Sequence, residues 1–217
     1  MLDNTLLKKP IFQTAFTHRS FLNEASGNIE SNERLEFLGD AILSFIISSY
    51  LFDSRLSDTE GELTNLRSFI VKTASLAKAA ENLNLGKYLR MSKGEEMTGG
   101  RENTQLLANT YEALLGAVYV DQGLEEAKKF VKKTLIPLFE SELRSGPPKD
   151  AKSRLQELSQ TLTKQSPKYK IIKTTGPDHA KTFSVGVYLQ GKQLGEGSGA
   201  SKQEAEGEAA KIALKKI

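Results

Sequence analysis

Apolar residues recur three and four positions apart through most of the first 143 residues. The pattern is clearest in AILSFIISSYLF (41–52), LRSFIVKTASLAKAAENL (66–83) and LLANTYEALLGAVYVD (106–121). This spacing lays an apolar stripe along a helix and predicts an all-α bundle. The two-residue alternation of a half-buried strand is nearly absent. Breaks at Gly27, at 57–61, in MSKGEEMTGGREN (91–103) and at Gly123 punctuate the run as short connections and one longer loop would.

The pattern changes at SGPPKD (145–150), where two prolines after Gly146 stop a helix and stiffen a connector. Beyond it, AKSRLQELSQTLTK (151–164) reads as a helix with Asp150 as its N-cap. KYKIIKTT, KTFSVGVYLQ and KQLGEGSG alternate in part, and SKQEAEGEAAKIALKKI (201–217) is helical again. The order α-β-β-β-α predicts a small α+β module. The expected division is an all-α domain at 1–144, a linker at 145–149 and a second domain at 150–217.

Charge follows that division. Residues 1–150 hold 18 Lys and Arg against 21 Asp and Glu, whereas 151–217 hold 12 against 6, so the net charge of +3 conceals an acidic part and a basic one. A basic module suits a polyanion, although a solvated basic surface gives the same count. The chain has no cysteine and two histidines, which excludes disulfides, zinc knuckles and thiol nucleophiles and leaves any metal to oxygen ligands. The N-terminus lacks the basic-then-apolar plan of a signal peptide, and the apolar run at 41–52 is short and serine-rich for a bilayer span. A cytoplasmic protein without membrane contact is expected.

NERLEFLGD (32–40) places Glu33, Glu36 and Asp40 in this helical pattern. At 100° per residue they fall within roughly 60° of arc, on one face. Such carboxylates repel one another unless water or a cation intervenes. In LLANTYEALLGAVYVD, Asn109 and Glu112 stand three apart inside an apolar run and need partners. If the two helices pack side by side, Glu36, Asp40, Asn109 and Glu112 present oxygen donors suited to Mg²⁺. The alternatives are a solvated acidic face, and bonds from Asn109 and Glu112 to nearby backbone or Arg34.

NERLEFLGD, EGELTNLR (60–67), LANTYEALLGAVYVD and THRS (17–20) together resemble bacterial ribonuclease III, which cuts double-stranded RNA. The resemblance implies an all-α endonuclease domain followed by an α+β double-stranded-RNA-binding domain. It makes Glu36, Asn109 and Glu112 metal ligands, Asp40 and Glu112 catalytic, and Glu33 and Glu60 accessory acids. Mg²⁺ is the implied cofactor, with Mn²⁺ able to substitute. Implied too are 5′-phosphate and 3′-hydroxyl products, ribosomal and other structured precursors as substrates, and a homodimer with Phe37 filling a cavity on the partner. The residue pattern alone reads Phe37 as a core aromatic. Asn109 departs from the family, which more often has Asp there, and an amide offers one neutral oxygen in place of a charge.

The tail carries the same resemblance. In double-stranded-RNA-binding domains the first helix and the loop after the first strand enter successive minor grooves, while the last helix meets the phosphates between them. The implied RNA contacts are Ser153, Gln156, Glu157 and Gln160 on the first helix, His179 in TTGPDHAKT, and Ser201 and Lys202 at the last helix. Gln203 stands where the family commonly has a second lysine. His18 is expected to be structural, on an apolar helix. Lys128, Lys129, Lys132 and Lys133 are expected to form a solvated face. The competing functional readings are a non-cleaving duplex-binding protein with a weakened metal site and an all-α nucleotide phosphohydrolase, which leaves the basic tail unexplained.

Overall fold

The computed structural model describes residues 4–27, 29–146, 150–177 and 180–217. The chain divides into two compact units, Met1–Pro147 and Pro148–Ile217. In the first, the described helices are α1 (Asn4–Leu7), α2 (Pro10–Ala15), α3 (Glu33–Ser54), α4 (Glu60–Val71), α5 (Thr73–Asn82), α6 (Lys93–Met97), α7 (Thr104–Gln122), α8 (Leu124–Thr134) and α9 (Glu140–Ser145), with short 3₁₀ turns between some of them.

Local chemistry sets several of these boundaries. Thr59 and Glu62 form a reciprocal capping box at the start of α4. The Asn103 side chain accepts from the N–H groups of Gln105 and Leu106 at 2.9 and 3.1 Å and so opens α7. Gly123, with φ 83°, ends that helix. On α8, Glu125 and Glu126 in the first turn pair with Lys128 and Lys129 one turn on, a solvated face as expected from the sequence.

The core forms around α3 and α7. Ile42, Leu43, Ile46, Ile47 and Leu51 of α3 and Leu107, Tyr111, Leu114, Leu115 and Val118 of α7 are buried with Phe12, Leu66, Ile70, Leu76 and Val131. The Tyr111 hydroxyl, fully buried, meets Thr134 Oγ1 at 2.8 Å, which satisfies it inside the core.

One face of α3 does not enter this core. Phe37 is 80% exposed, Phe45 56% and Phe52 70%, which corrects the reading of Phe37 as a core aromatic. Helical periodicity identifies a second apolar stripe but does not say what covers it. By length and composition α3 is also apolar enough to cross a membrane. Its other stripe is core packing against α7, so it is built as the central helix of a globular bundle.

The second unit contains α10 (Ala151–Thr163), β1 (Lys168–Thr175), β2 (Thr182–Leu189), β3 (Lys192–Gly199) and α11 (Lys202–Leu214). The strands form one antiparallel sheet in the order β1-β2-β3, with a register shift between Ile171 and Lys173. Leu155, Val187, Ala209, Ala210 and Ala213 make its small core. The glycines of GEGSG let α11 lie directly on β3: a methyl at Gly197 would stand 2.2 Å from the Ala209 nitrogen, and one at Gly195 2.5 Å from the Ala209 carbonyl oxygen.

Candidate active site

The acidic residues meet where α3 crosses α7. A methyl group on Gly39 would lie 1.9 Å from the carbonyl oxygen of Glu112, and one on Gly116 2.3 Å from that of Leu35. Only glycine at both positions lets the two backbones touch. A helical glycine costs about 1 kcal/mol relative to alanine, and the close packing offsets that cost. Glu36 lies one turn before Gly39 and Asp40 one residue after it, so the crossing carries both carboxylates to Glu112. Reading the sequence for acids alone missed Gly39 and Gly116. The available signal was a lone glycine inside each apolar helical run.

The carboxylates feel one another. Burial pushes Glu112 up to about 7, and the charges of Asp40 and Glu36 add to the shift. Glu36 is raised from the usual carboxylate value by burial first and then by Glu33 and Asp40, while a side-chain hydrogen bond from Asn109 and the charge of Arg19 lower it. Glu33 is exposed, accepts from Ser31 Oγ at 2.8 Å and lies 3.8 Å from the Arg19 guanidinium. Asp40 is exposed, and Glu112 is half-buried. On the same face of α7, Gln105 Nε2 donates to Asn109 Oδ1 at 2.7 Å.

Among the described residues, no three Asp, Glu or His side chains stand in a ready-made ligating arrangement. The donor set nonetheless fits a hard divalent cation. It consists of carboxylate oxygens whose mutual repulsion a cation would relieve, on a side where Asp40 is exposed and water would complete the coordination.

THRS braces this site from behind. Thr17, fully buried, bonds through Oγ1 to the Gln13 carbonyl, and its own carbonyl accepts from the N–H of Asn32 at 2.8 Å. Asn32 precedes α3, so the motif fixes where the acidic helix begins. His18 is the N-cap of a 3₁₀ turn at Arg19–Asn23 and its Nδ1 meets Ser20 Oγ at 2.8 Å. It is structural but lies outside a helix, a correction to the expected apolar helix at that point. Glu60 opens α4, accepts from Thr64 Oγ1 at 3.0 Å and lines a groove with Phe45, Phe52 and Arg67. The charges acting on Glu36 and Glu112 do not include it.

In the second unit, Ser153, Gln156, Glu157 and Gln160 are exposed on α10. The Ser153 N–H and hydroxyl both bond to Asp150, at 2.9 and 3.1 Å, so this serine is also part of the helix cap. Ser201 caps α11, its Oγ accepting from the Glu204 N–H, and the Glu204 carboxylate accepts from the Ala200 N–H at 2.8 Å. Lys202 and Gln203 are exposed beside this cap. His179 lies outside the described residues. Across the module, Lys152 pairs with Glu206, joining α10 to α11 over the ring of Tyr169.

Comparison with known proteins adds the following. The family described as "Ribonuclease-III-like" matches residues 8–138, and "Double-stranded RNA binding motif" matches 151–217. A Ribonuclease 3 of Pelotomaculum thermopropionicum is 49% identical over 203 residues, 93% of this chain and 84% of that protein. A Ribonuclease 3 of Clostridium perfringens is 41% identical over 209 residues, 96% of this chain and 88% of that protein. A solved nuclease domain of a Campylobacter jejuni ribonuclease III aligns with TM-score 0.56 and 38% identity, covering 64% of this chain and 91% of that one. That nuclease domain shows structural flexibility in a region involved in its dimer formation.

Proposed function

The chain belongs to the ribonuclease III family, and from that premise we propose that it cleaves double-stranded RNA by Mg²⁺-dependent phosphodiester hydrolysis at the crossing of α3 and α7. Its products are 5′-phosphate and 3′-hydroxyl ends, and its substrates are ribosomal and other structured precursor RNAs. The observation that carries the reading is the meeting of Glu36, Asp40 and Glu112 at the Gly39–Gly116 contact. A bundle without chemistry gains nothing from forcing three like charges together on half-buried backbone.

Glu36 and Glu112, with the Asn109 amide oxygen, are the groups that would hold the metal, and Asp40, exposed near Glu112, faces the solvent from which RNA and water would arrive. When bound, a divalent cation supplies a hydroxide nucleophile near neutral pH and relieves charge on the leaving oxygen. Mn²⁺ offers the same chemistry. Without a cation Glu112 holds a proton over part of the population at neutral pH, so cation and proton compete for it. Glu33 acts through Glu36, on which its charge bears directly. Glu60, at its distance on α4, serves as an accessory acid toward RNA or product. Residues 1–144 form the catalytic domain, 145–149 the linker and 150–217 the duplex-binding domain. There the exposed face of Gln156, Glu157 and Gln160, with Ser153, His179, Ser201 and Lys202, contacts RNA.

Two strands need two cuts, and a two-fold homodimer supplies two equivalent sites. The uncovered row of Phe37, Phe45 and Phe52 supports this, because an apolar face of that kind on a globular domain marks an interface. The test is cleavage of an end-labelled hairpin with Mg²⁺ by the parent and by Glu112→Ala. Product with the parent and none with the variant is the expected result. Intact RNA with both would favour the non-cleaving duplex-binding reading, for which the neutral Asn109 is the one argument.

A further inference from the structure

Asn32 stands at the N-cap of α3, where an asparagine side chain ordinarily accepts from an N–H group of the first helical turn. Here it makes no such bond, and its backbone lies in the right-handed helical region, not in the extended region typical of a cap. The side chain turns inward instead. Asn32 is 3% exposed, and its Nδ2 donates to the Ala15 carbonyl at 3.4 Å. Its own N–H donates to the Thr17 carbonyl at 2.8 Å, and its carbonyl accepts from the Glu36 N–H at 2.9 Å. One residue thus ties the first turn of α3, which carries Glu33 and Glu36, to the segment 15–17. That segment is itself held: the Arg90 N–H donates to the Phe16 carbonyl at 2.8 Å, and the Arg90 carbonyl accepts from the His18 N–H at 2.9 Å.

A cap and an anchor do different things. A cap satisfies N–H groups wherever the helix lies, whereas a bond to another segment fixes where it lies. The glycine contacts pin α3 to α7 at Leu35 and Gly39, and helix ends fray beyond their last fixed point. We infer that Asn32 is a positioning residue for the metal site: it gives up the cap and holds the first turn of α3, and with it Glu36, in a fixed place beside α7. This role rests on the proposed metal site, in which Glu36 is a ligand. The side chain must be a donor for it. An aspartate has nearly the same shape and caps as well, but when ionised it only accepts and so cannot bond the Ala15 carbonyl. A serine also caps, but is too short to reach that carbonyl.

Asn32→Ser and Asn32→Asp therefore separate the two roles, because each supplies a cap and removes the anchor. The measurement is titration of Mn²⁺ into the full chain without RNA, with the free ion followed by its electron paramagnetic resonance signal, alongside thermal melting. Both variants should fold and bind Mn²⁺ about tenfold more weakly than the parent, as expected when an outer partner of a metal ligand is lost. Cleavage of a hairpin should fall at low Mg²⁺ and recover as Mg²⁺ is raised. Ser75→Ala is the control. Ser75, on α5, is also 3% exposed, and its Oγ donates to the Phe69 carbonyl at 2.7 Å, so the variant loses a buried bond to a carbonyl outside α3. It should melt lower than the parent and bind Mn²⁺ equally well. Parental Mn²⁺ affinity in a folded Asn32→Ser overturns the role, and so does an equal loss of affinity in Ser75→Ala, which would make the effect one of stability alone. Failure of both Asn32 variants to fold overturns it too, since Asn32 would then serve the fold as a whole. Mn²⁺ binding that Glu112→Gln leaves untouched would instead overturn the metal site itself, an outcome separable from failure of the anchor.

Discussion

Both halves of the molecule rely on backbones brought into contact through glycine, and they use the contact for opposite ends. In the catalytic half, Gly39 and Gly116 let two long helices touch, and the result is a half-buried cluster of like charges. In the duplex-binding half, Gly195 and Gly197 let α11 lie flat on β3, its alanines forming a thin core with Leu155 and Val187. Every described residue assigned to RNA there stays on the outside. Close packing creates electrostatic tension in one half and a stiff, unstrained platform in the other. Substitutions at the acidic residues should therefore disturb stability and pH dependence in the first half, whereas in the second half substitutions at RNA-face residues outside the helix caps, such as Gln156 and Lys202, should alter only affinity and its salt dependence.

The largest test replaces the glycines. Gly39→Ala places a methyl 1.9 Å from the Glu112 carbonyl, so α3 and α7 must separate. It should destabilise the catalytic half by about 3 kcal/mol or more and abolish cleavage. Gly197→Ala places its methyl against α11 backbone at 2.2 Å and should unfold the small module while the catalytic half keeps its own melting transition. Two separate transitions by calorimetry, each moved by one substitution alone, would sharpen the contrast. A single shared transition moved by both would break it.

A middle-sized effect comes from Glu112. Its folded pKa of about 7 lies above the ordinary 4.5. The stability this group contributes is therefore fully present below pH 4.5 and lost as pH rises through 7. Metal-free protein should lose about 1–2 kcal/mol between pH 5 and pH 8 on this account, after discounting for the solvent-facing side of the group. Glu112→Gln should flatten that slope while abolishing cleavage, and saturating Mg²⁺ should flatten it in the parent. Denaturant midpoints across the pH series measure this, and an unchanged slope in the variant contradicts the tension ascribed to the site.

The smallest effect belongs to the platform. Lys202→Ala should leave both transitions in place and weaken duplex RNA binding by about one phosphate contact, lowering the slope of log affinity against log salt by roughly 0.9. Binding isotherms at several salt concentrations show it. An unaltered slope would remove Lys202 from the RNA face.

Periodicity and local chemistry made much of this legible. The helical first half, the strands KYKIIKTT and KQLGEGSG, the cap at Asp150 and the acids of NERLEFLGD all follow from patterns that span a few residues, because a helix or strand repeats its environment at fixed spacing. What the chain could not disclose were relations between segments far apart in sequence. Phe37 and Ile42 have equal claim to the core by pattern, yet one is exposed and the other buried, since periodicity marks an apolar stripe without naming its partner. The glycines at 39 and 116 look like weak points in their helices until the crossing shows that each makes room for the other's backbone. The sequence determined the elements and the stock of charges. Tertiary packing decided which carboxylates repel and which apolar stripe is left open, because burial and electrostatic coupling arise only once distant segments are within a few ångströms of each other.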